Sequence, residues 1–248
     1  MANTKDSFEN NQFSIQEKIA TFLKQIEPRE NSCEVTIKSL QNLIYELVDE
    51  QEQELRIDFL DRSSSELFER FKGLLNRPQE IQIKLWLASH YELLGAYQKA
   101  LKSYQNVIEL CESDDFYREK AEALRWAGHI RARRNQWQEA FKLLDKCLNI
   151  CLEHEDIVAE SRARNLIGLI NFERGEYEYA NTHWQKALEL SDHFDNNRLT
   201  ASYYHNLGIS SNVRGDFEKL LPVMPKHCPG LKKSAIHAVW PIPFTIWR

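Results

Sequence analysis

The sequence predicts an all-α protein: a right-handed solenoid of stacked helical hairpins, with an N-terminal helical cap and an irregular C-terminal tail. Three observations carry this. A short motif recurs every forty residues from Leu94 onward. Long stretches contain neither glycine nor proline, so nothing punctuates a helix there. Aromatic and small residues within each motif stand three or four apart, the spacing that puts side chains on one helix face.

The motif occurs four times: Leu94-Gly95-Ala96-Tyr97-Gln98-Lys99-Ala100, Arg134-Asn135-Gln136-Trp137-Gln138-Glu139-Ala140, Arg174-Gly175-Glu176-Tyr177-Glu178-Tyr179-Ala180 and Arg214-Gly215-Asp216-Phe217-Glu218-Lys219-Leu220. A second register, Ala88, Gly128, Gly168 and Gly208, lies upstream at the same interval. A third lies downstream, with Tyr104, Leu144 and Trp184 followed three residues later by Val107, Cys147 and Ala187. Each register has a physical reading. The small residue at the centre of a first helix lets a second helix cross closely. The glycine or asparagine ends the first helix, where a left-handed backbone costs those two types least. One such hairpin cannot bury both apolar stripes alone, so neighbours stack and share a core.

The elements follow in order. First helices are expected near 80–94, 118–134, 157–174 and 198–214, and second helices near 97–112, 137–153 and 177–192. Residues 1–79 also read as helical, with candidates near 13–26, 33–52 and 53–76 bounded by Pro28 and Pro78. They lack the repeat frame and form either a cap on the apolar end of the stack or a degenerate repeat. Residues 80–221 hold three complete hairpins and one incomplete one. After Leu220 the register fails at Pro222 and Pro225, because proline removes amide donors and clashes with the preceding turn. From Pro222 to Arg248 there are four Lys or Arg and no Asp or Glu. This Pro-rich basic tail, 222–248, is either a dedicated C-terminal peptide or the product of a truncation or frameshift.

Over roughly residues 81–220 the pattern resembles the tetratricopeptide repeat family, whose signature joins W-x2-L-G-x2-Y to A-x3-F and a turn. Family units run to about 34 residues, whereas the interval here is forty. The extra length falls in Glu112–Lys120, Glu153–Glu160 and Asp192–Thr200. The longer unit is similar to adaptors of the kinesin light chain and Leu-Gly-Asn-repeat type, and to bacterial regulators whose arrays read signals beside another domain. Ala88, Asn135 and Leu220 depart from the family's glycines and alanine.

Composition narrows the function. The formal net charge is −5, so the chain as a whole offers no basic field for a nucleic acid backbone. No apolar run approaches a membrane span, and Met1 to Gln12 is polar, which points to a cytoplasmic protein. Five scattered cysteines argue against a disulfide framework. Cys147, Cys151 and His154 stand at helical spacing without a fourth ligand and read as core thiols, so no metal and no cofactor is expected. The run Cys111-Glu112-Ser113-Asp114-Asp115 reads as a linker whose Ser or Asp caps the next helix. His183 reads as solvated beside a core Trp184. Phosphate loops, H-E-x-x-H and G-x-S-x-G are absent. Carboxylates at Glu46, Asp49, Glu50 and Glu52 are better explained by a solvated helix face than by an enzyme.

The resemblance implies a concave groove lined by first helices and used to bind proteins. Its candidate residues are Trp86, Arg125, Trp126, His129, Arg133, Arg162, Asn165, His205 and Asn206. Arginines make bidentate bonds to carboxylates, tryptophan offers a flat apolar platform, and asparagines can bond an extended main chain. Together they suit an acidic, extended peptide or partner protein. Two alternatives stay open: Arg125 and Arg162 pair with glutamates of the neighbouring repeat, and the tryptophans pack on the next helix. A further alternative is a regulatory sensor module of a larger signalling or transcriptional protein, truncated here.

Overall fold

The computed structural model describes residues 38, 53–112 and 114–215. The chain divides into two compact units, residues 1–112 and 113–248. All regular structure among the described residues is helical.

In the first unit α1 (Gln53–Arg70), α2 (Arg77–Leu93) and α3 (Tyr97–Leu110) follow one another. Helix α2 begins three residues before the expected 80. Asn76 and Gln79 form a reciprocal capping box, and Pro78 sits in the first turn, where no amide donor is needed. The Asn76 Oδ1 accepts from the Gln79 amide at 3.0 Å, and Gln79 Oε1 accepts from the Asn76 amide at 3.1 Å. The helix ends where Gly95 takes φ 70°. Gly95 and Ala96 then donate to Glu92 and Tyr91 carbonyls at 2.9 and 2.8 Å. Ala100, Tyr104 and Val107 bury the inner face of α3. Phe59, Leu60, Leu67 and Phe71 are buried along and just beyond α1. Asp61 ties α1 to this hairpin, accepting from Tyr91 Oη at 2.7 Å and pairing with Lys99. The helices expected near 13–26 and 33–52 lie outside the described residues, helical Lys38 apart.

In the second unit a 3-10 turn, Asp114–Phe116, leads into α4 (Tyr117–Arg133), α5 (Trp137–Glu153), α6 (Ile157–Glu173), α7 (Tyr177–Ser191) and α8 (Asn197–Arg214). Helices α4 and α5 form one hairpin and α6 and α7 the next; α8 packs on α6 and α7. The turns repeat that of the first unit. Asn135, Gly175 and Gly215 take φ 59°, 79° and 73°. Gln136 and Glu176 return to the carbonyls of Arg131 and Asn171 at 2.9 and 2.8 Å, as Ala96 does to Tyr91.

The central glycines are needed. A Cβ on Gly168 would stand 2.5 Å from Trp184 Nε1, and one on Gly128 would stand 3.0 Å from Leu144 Cγ. The Trp184 indole is buried and donates to the Asn165 carbonyl at 3.1 Å. One core joins Ala132, Ala140 and Leu144 to Leu166, Ile167 and Ile170. A second joins Ala180, Trp184, Ala187 and Leu188 to Tyr203, Tyr204 and Leu207. Each large apolar side chain so buried contributes roughly 1.5–3 kcal/mol, and this is what holds one hairpin to the next.

Two expectations need correction. The cap of α4 is Phe116, which makes no side-chain cap bond, because the 3-10 turn has already carried the linker into the helix. His183 is half-buried rather than solvated: its Nδ1 is enclosed without a hydrogen-bond partner in the described structure. Burial first, and then the charge of Arg164, lower its pKa against the opposing effect of Asp145. The expected tail and the second helix of the fourth hairpin lie outside the described residues.

Candidate ligand-binding face

The second unit carries most of the predicted face on α4, α6 and α8. On α4, Glu122, Trp126, His129 and Arg133 recur at intervals of four, three and four, with Arg125 beside Trp126, so one helix face carries them all. The Trp126 Nε1–H donates to Glu122 Oε1 at 3.4 Å. The Arg125 guanidinium lies over the Trp126 ring, 4.1 Å from its centroid, and 3.8 Å from the Glu122 carboxylate. His129 meets the same indole edge-on, with centroids 5.6 Å apart. Glu122 thus steadies a half-buried platform in which an aromatic face is covered by a cation.

Arg162 of α6 is exposed, as are Arg133 of α4 and His205 of α8. Asn206 is buried, and its Nδ2 donates to Asn165 Oδ1 at 2.7 Å. The two asparagines are therefore bonded to each other across α6 and α8. One turn earlier, Ser161 donates to the Val158 carbonyl at 2.8 Å and accepts from Tyr203 Oη at 2.9 Å. Trp86 lies on α2 in the first unit, tilted against His90 with centroids 4.2 Å apart.

A pocket of about 310 Å³ opens among α4, α5 and α6, lined by Arg118, Glu122, Arg125, Cys147, Asp156 and Arg162 together with small apolar residues. Asp156 caps α6 through the Ala159 amide at 3.0 Å and holds Arg118 Nε at 3.0 Å. Burial pushes the Asp156 carboxyl up, but the Ala159 amide and Arg118 together outweigh it and hold the group below its usual range. Cys147 and Cys151 are buried thiols, and His154 stacks on Tyr117 at 3.9 Å. Among the described residues no three His, Cys, Asp or Glu side chains are grouped to hold a metal, and no helix is long and apolar enough to cross a membrane.

Sequence reasoning missed Glu122, Arg118, Asp156 and the position of Cys147 on this pocket. Glu122 was findable, because it stands forty residues before Arg162 in the repeat register.

Together the hairpins, their left-handed turns and the close glycine crossings define an all-α helical-repeat protein. Residues 79–153 match the family model described as tetratricopeptide repeat. Among solved structures, BtubC (BKLC) from P. vanneervenii is similar at 14% identity and TM-score 0.59, over 87% of this chain and 90% of that one. The apo form of RapI is similar at 13% identity and TM-score 0.60, over 75% of this chain and 66% of that one. A Rap protein complexed with Competence and Sporulation Factor is similar at 19% identity and TM-score 0.50, over 84% of this chain and 63% of that one. These likenesses are of fold. No curated protein sequence matches the chain.

Proposed function

We propose that the chain is a non-enzymatic scaffold that holds a peptide or partner protein along the first-helix face of its second unit. The observation that carries this is the Trp126 platform under Arg125, with exposed Arg133 and Arg162 beside it. Arg133 and Arg162 are exposed and stand outside the buried core. Arginines on a flat aromatic surface suit an acidic, extended segment. Asn165 offers its amide to such a segment's main chain, its carbonyl being occupied by Asn206. The repeat type and the Rap complex among similar folds support a protein-binding role.

Immobilised peptides graded by charge test the reading. Wild-type protein should retain acidic extended peptides at least about tenfold better than neutral ones, a difference of about 1.4 kcal/mol. Arg133→Glu/Arg162→Glu should lose that preference with unchanged circular dichroism, since both side chains are exposed. Equal retention of acidic, neutral and basic peptides would overturn it.

The likeness to Rap also favours a second reading, a regulatory module whose ligand acts on an attached effector. In that case a bound acidic peptide would alter hydrogen exchange well beyond α4 and α6. Protection confined to those two helices would count against it.

A further inference from the structure

We propose that the pocket among α4, α5 and α6 binds a free aliphatic α-amino acid, whose carboxylate meets Arg125 and Arg162 and whose ammonium meets Glu122. This small-molecule site is separate from the peptide-binding reading, although two of its arginines are common to both.

The first observation is space. The pocket of about 310 Å³ has about twice the volume of a cavity that takes up benzene, about 150 Å³. That is room for a small molecule. One part of the wall is apolar, made by Ala121, Val158, Ala159 and Cys147, whose thiol is turned onto the Ala121 carbonyl at 3.2 Å. Side chains this small leave width for a branched aliphatic group.

The second observation is which polar groups of the wall are already committed. Asp156 Oδ1 accepts from the Ala159 amide and Oδ2 from Arg118 Nε, each at 3.0 Å, and the Tyr117 hydroxyl also donates to Oδ2 at 3.5 Å. Asp156 and Arg118 therefore answer one another. Glu122 differs. The Trp126 indole at 3.4 Å and Arg125 at 3.8 Å both approach its Oε1, which leaves Oε2 to accept from a ligand. Arg125 is set in place over the Trp126 ring, with its side chain only 15% exposed. Arg162 makes no ion pair among the described residues. The two guanidiniums also act on one group: burial raises the Tyr203 pKa, while the Ser161 bond and then the charges of Arg162 and Arg125 oppose it. Arg162 from α6 and Arg125 from α4 thus converge.

What the wall offers is a pair of guanidiniums, one carboxylate oxygen and an apolar flank. Guanidinium N–H groups bind a carboxylate in a fork. An ammonium on the adjacent carbon then comes within reach of Glu122, and the side chain of that carbon lies along the apolar flank. A plain carboxylic acid would bring its negative charge beside Glu122 without relief. A dianion such as phosphate would face both Glu122 and Asp156, and an amine lacking a carboxylate would face the arginines.

Isothermal titration calorimetry of the full chain with L-leucine tests the site. The comparison ligands are 4-methylpentanoate (leucine without its ammonium), L-leucinamide (leucine without its carboxylate) and inorganic phosphate. L-leucine should bind at least about tenfold tighter than each of the three. Arg162→Gln should weaken L-leucine about tenfold and close the gap to L-leucinamide, whereas Glu122→Gln should close the gap to 4-methylpentanoate. Both side chains are exposed, so the circular dichroism of the variants should match the wild type. Absence of saturable L-leucine binding below about 10 mM would overturn the proposal. So would equal affinity for L-leucine and 4-methylpentanoate, tighter binding of phosphate, or variants that bind L-leucine as the wild type does. No peptide is present in these titrations. A failed amino acid site therefore leaves the charge-graded peptide test of the face untouched, and a failed peptide face leaves the pocket.

Discussion

Asn206 reaches from α8 to Asn165 on α6 and donates its side-chain amide to that residue's carbonyl oxygen at 2.7 Å. Tyr203, nearly a turn earlier on α8, meets Ser161 on α6 at 2.9 Å. Two polar ties thus run beside the apolar contact between these helices.

Each tie should be measurable. Asn206→Ala and Tyr203→Phe should each destabilise the second unit by about 1 kcal/mol, the net worth of a hydrogen bond in such a setting. Urea unfolding followed by tryptophan fluorescence checks this. A double-mutant cycle of Asn206→Ala with Asn165→Ala should show coupling. Strict additivity would mean that the bond contributes nothing.

The glycine crossings should differ in tolerance. Gly168→Ala places a methyl 2.5 Å from an indole nitrogen that is itself anchored, so the ring has nowhere to go. A loss of about 1–3 kcal/mol is expected from overpacking. Gly128→Ala meets Leu144 at 3.0 Å, and a leucine can change rotamer, so its loss should be less than half as large. Adding Trp184→Leu to Gly168→Ala, which recreates the alanine–leucine pair that Gly128→Ala makes in the preceding repeat, should restore part of the stability. Thermal melts of the three variants decide.

His90 should make stability depend on pH. It is buried, and desolvation lowers its pKa from 6.5 in spite of the bond to the Trp86 carbonyl, which acts the other way. The unfolded chain therefore binds the proton more tightly than the folded one. Stability should fall as pH drops below 6.5 and level off once the folded-state group is also protonated. Urea midpoints for the wild type and His90→Gln between about pH 7.5 and pH 5 should diverge, with the variant flatter. Parallel curves would contradict the assignment.

Asp156 accepts from three groups at once, the Ala159 amide, Arg118 Nε and the Tyr117 hydroxyl. Asp156→Ala should cost about 1–2 kcal/mol, mainly through the lost cap. Asp156→Asn keeps a capping oxygen and gives up the charge that faces exposed Arg118, so it should cost clearly less than the alanine variant. Because the folded-state carboxyl is held below its usual range, its contribution is present above the unfolded carboxylate pKa. It disappears as pH falls through the folded value. Chemical unfolding of both variants at neutral and acid pH measures this.

The repeat frame was legible because each register reports one local requirement. A left-handed turn selects Gly95, Asn135 and Gly175, and a close helix crossing selects Gly128 and Gly168. Among the hairpin helices predicted and observed bounds agree to within three residues, while α1 ends at Arg70, six short of the expected 76, and α2 starts three residues before the expected 80. There the capping box of Asn76 and Gln79 outweighed the reading of Pro78 as a boundary. The face was less legible. Its aromatic and basic residues stood out, yet the Asn165–Asn206 bond did not, because a contact 41 residues apart reflects how neighbouring hairpins stack. His183 was misread for a similar reason: what buries it comes from beyond its own helix. The pocket is assembled from α4, α5 and α6, and no single stretch of sequence contains it.

Asn135, standing where the other turns use glycine, keeps the same backbone shape and leaves the interval of forty intact. That constancy reaches down to the gene. A tandem copy of forty codons, begun at any point inside the array, would preserve the reading frame. It would also return every turn, crossing and core position to its own kind. Arrays of different length are therefore one recombination event apart, and selection can adjust the extent of the binding face without first repairing the fold.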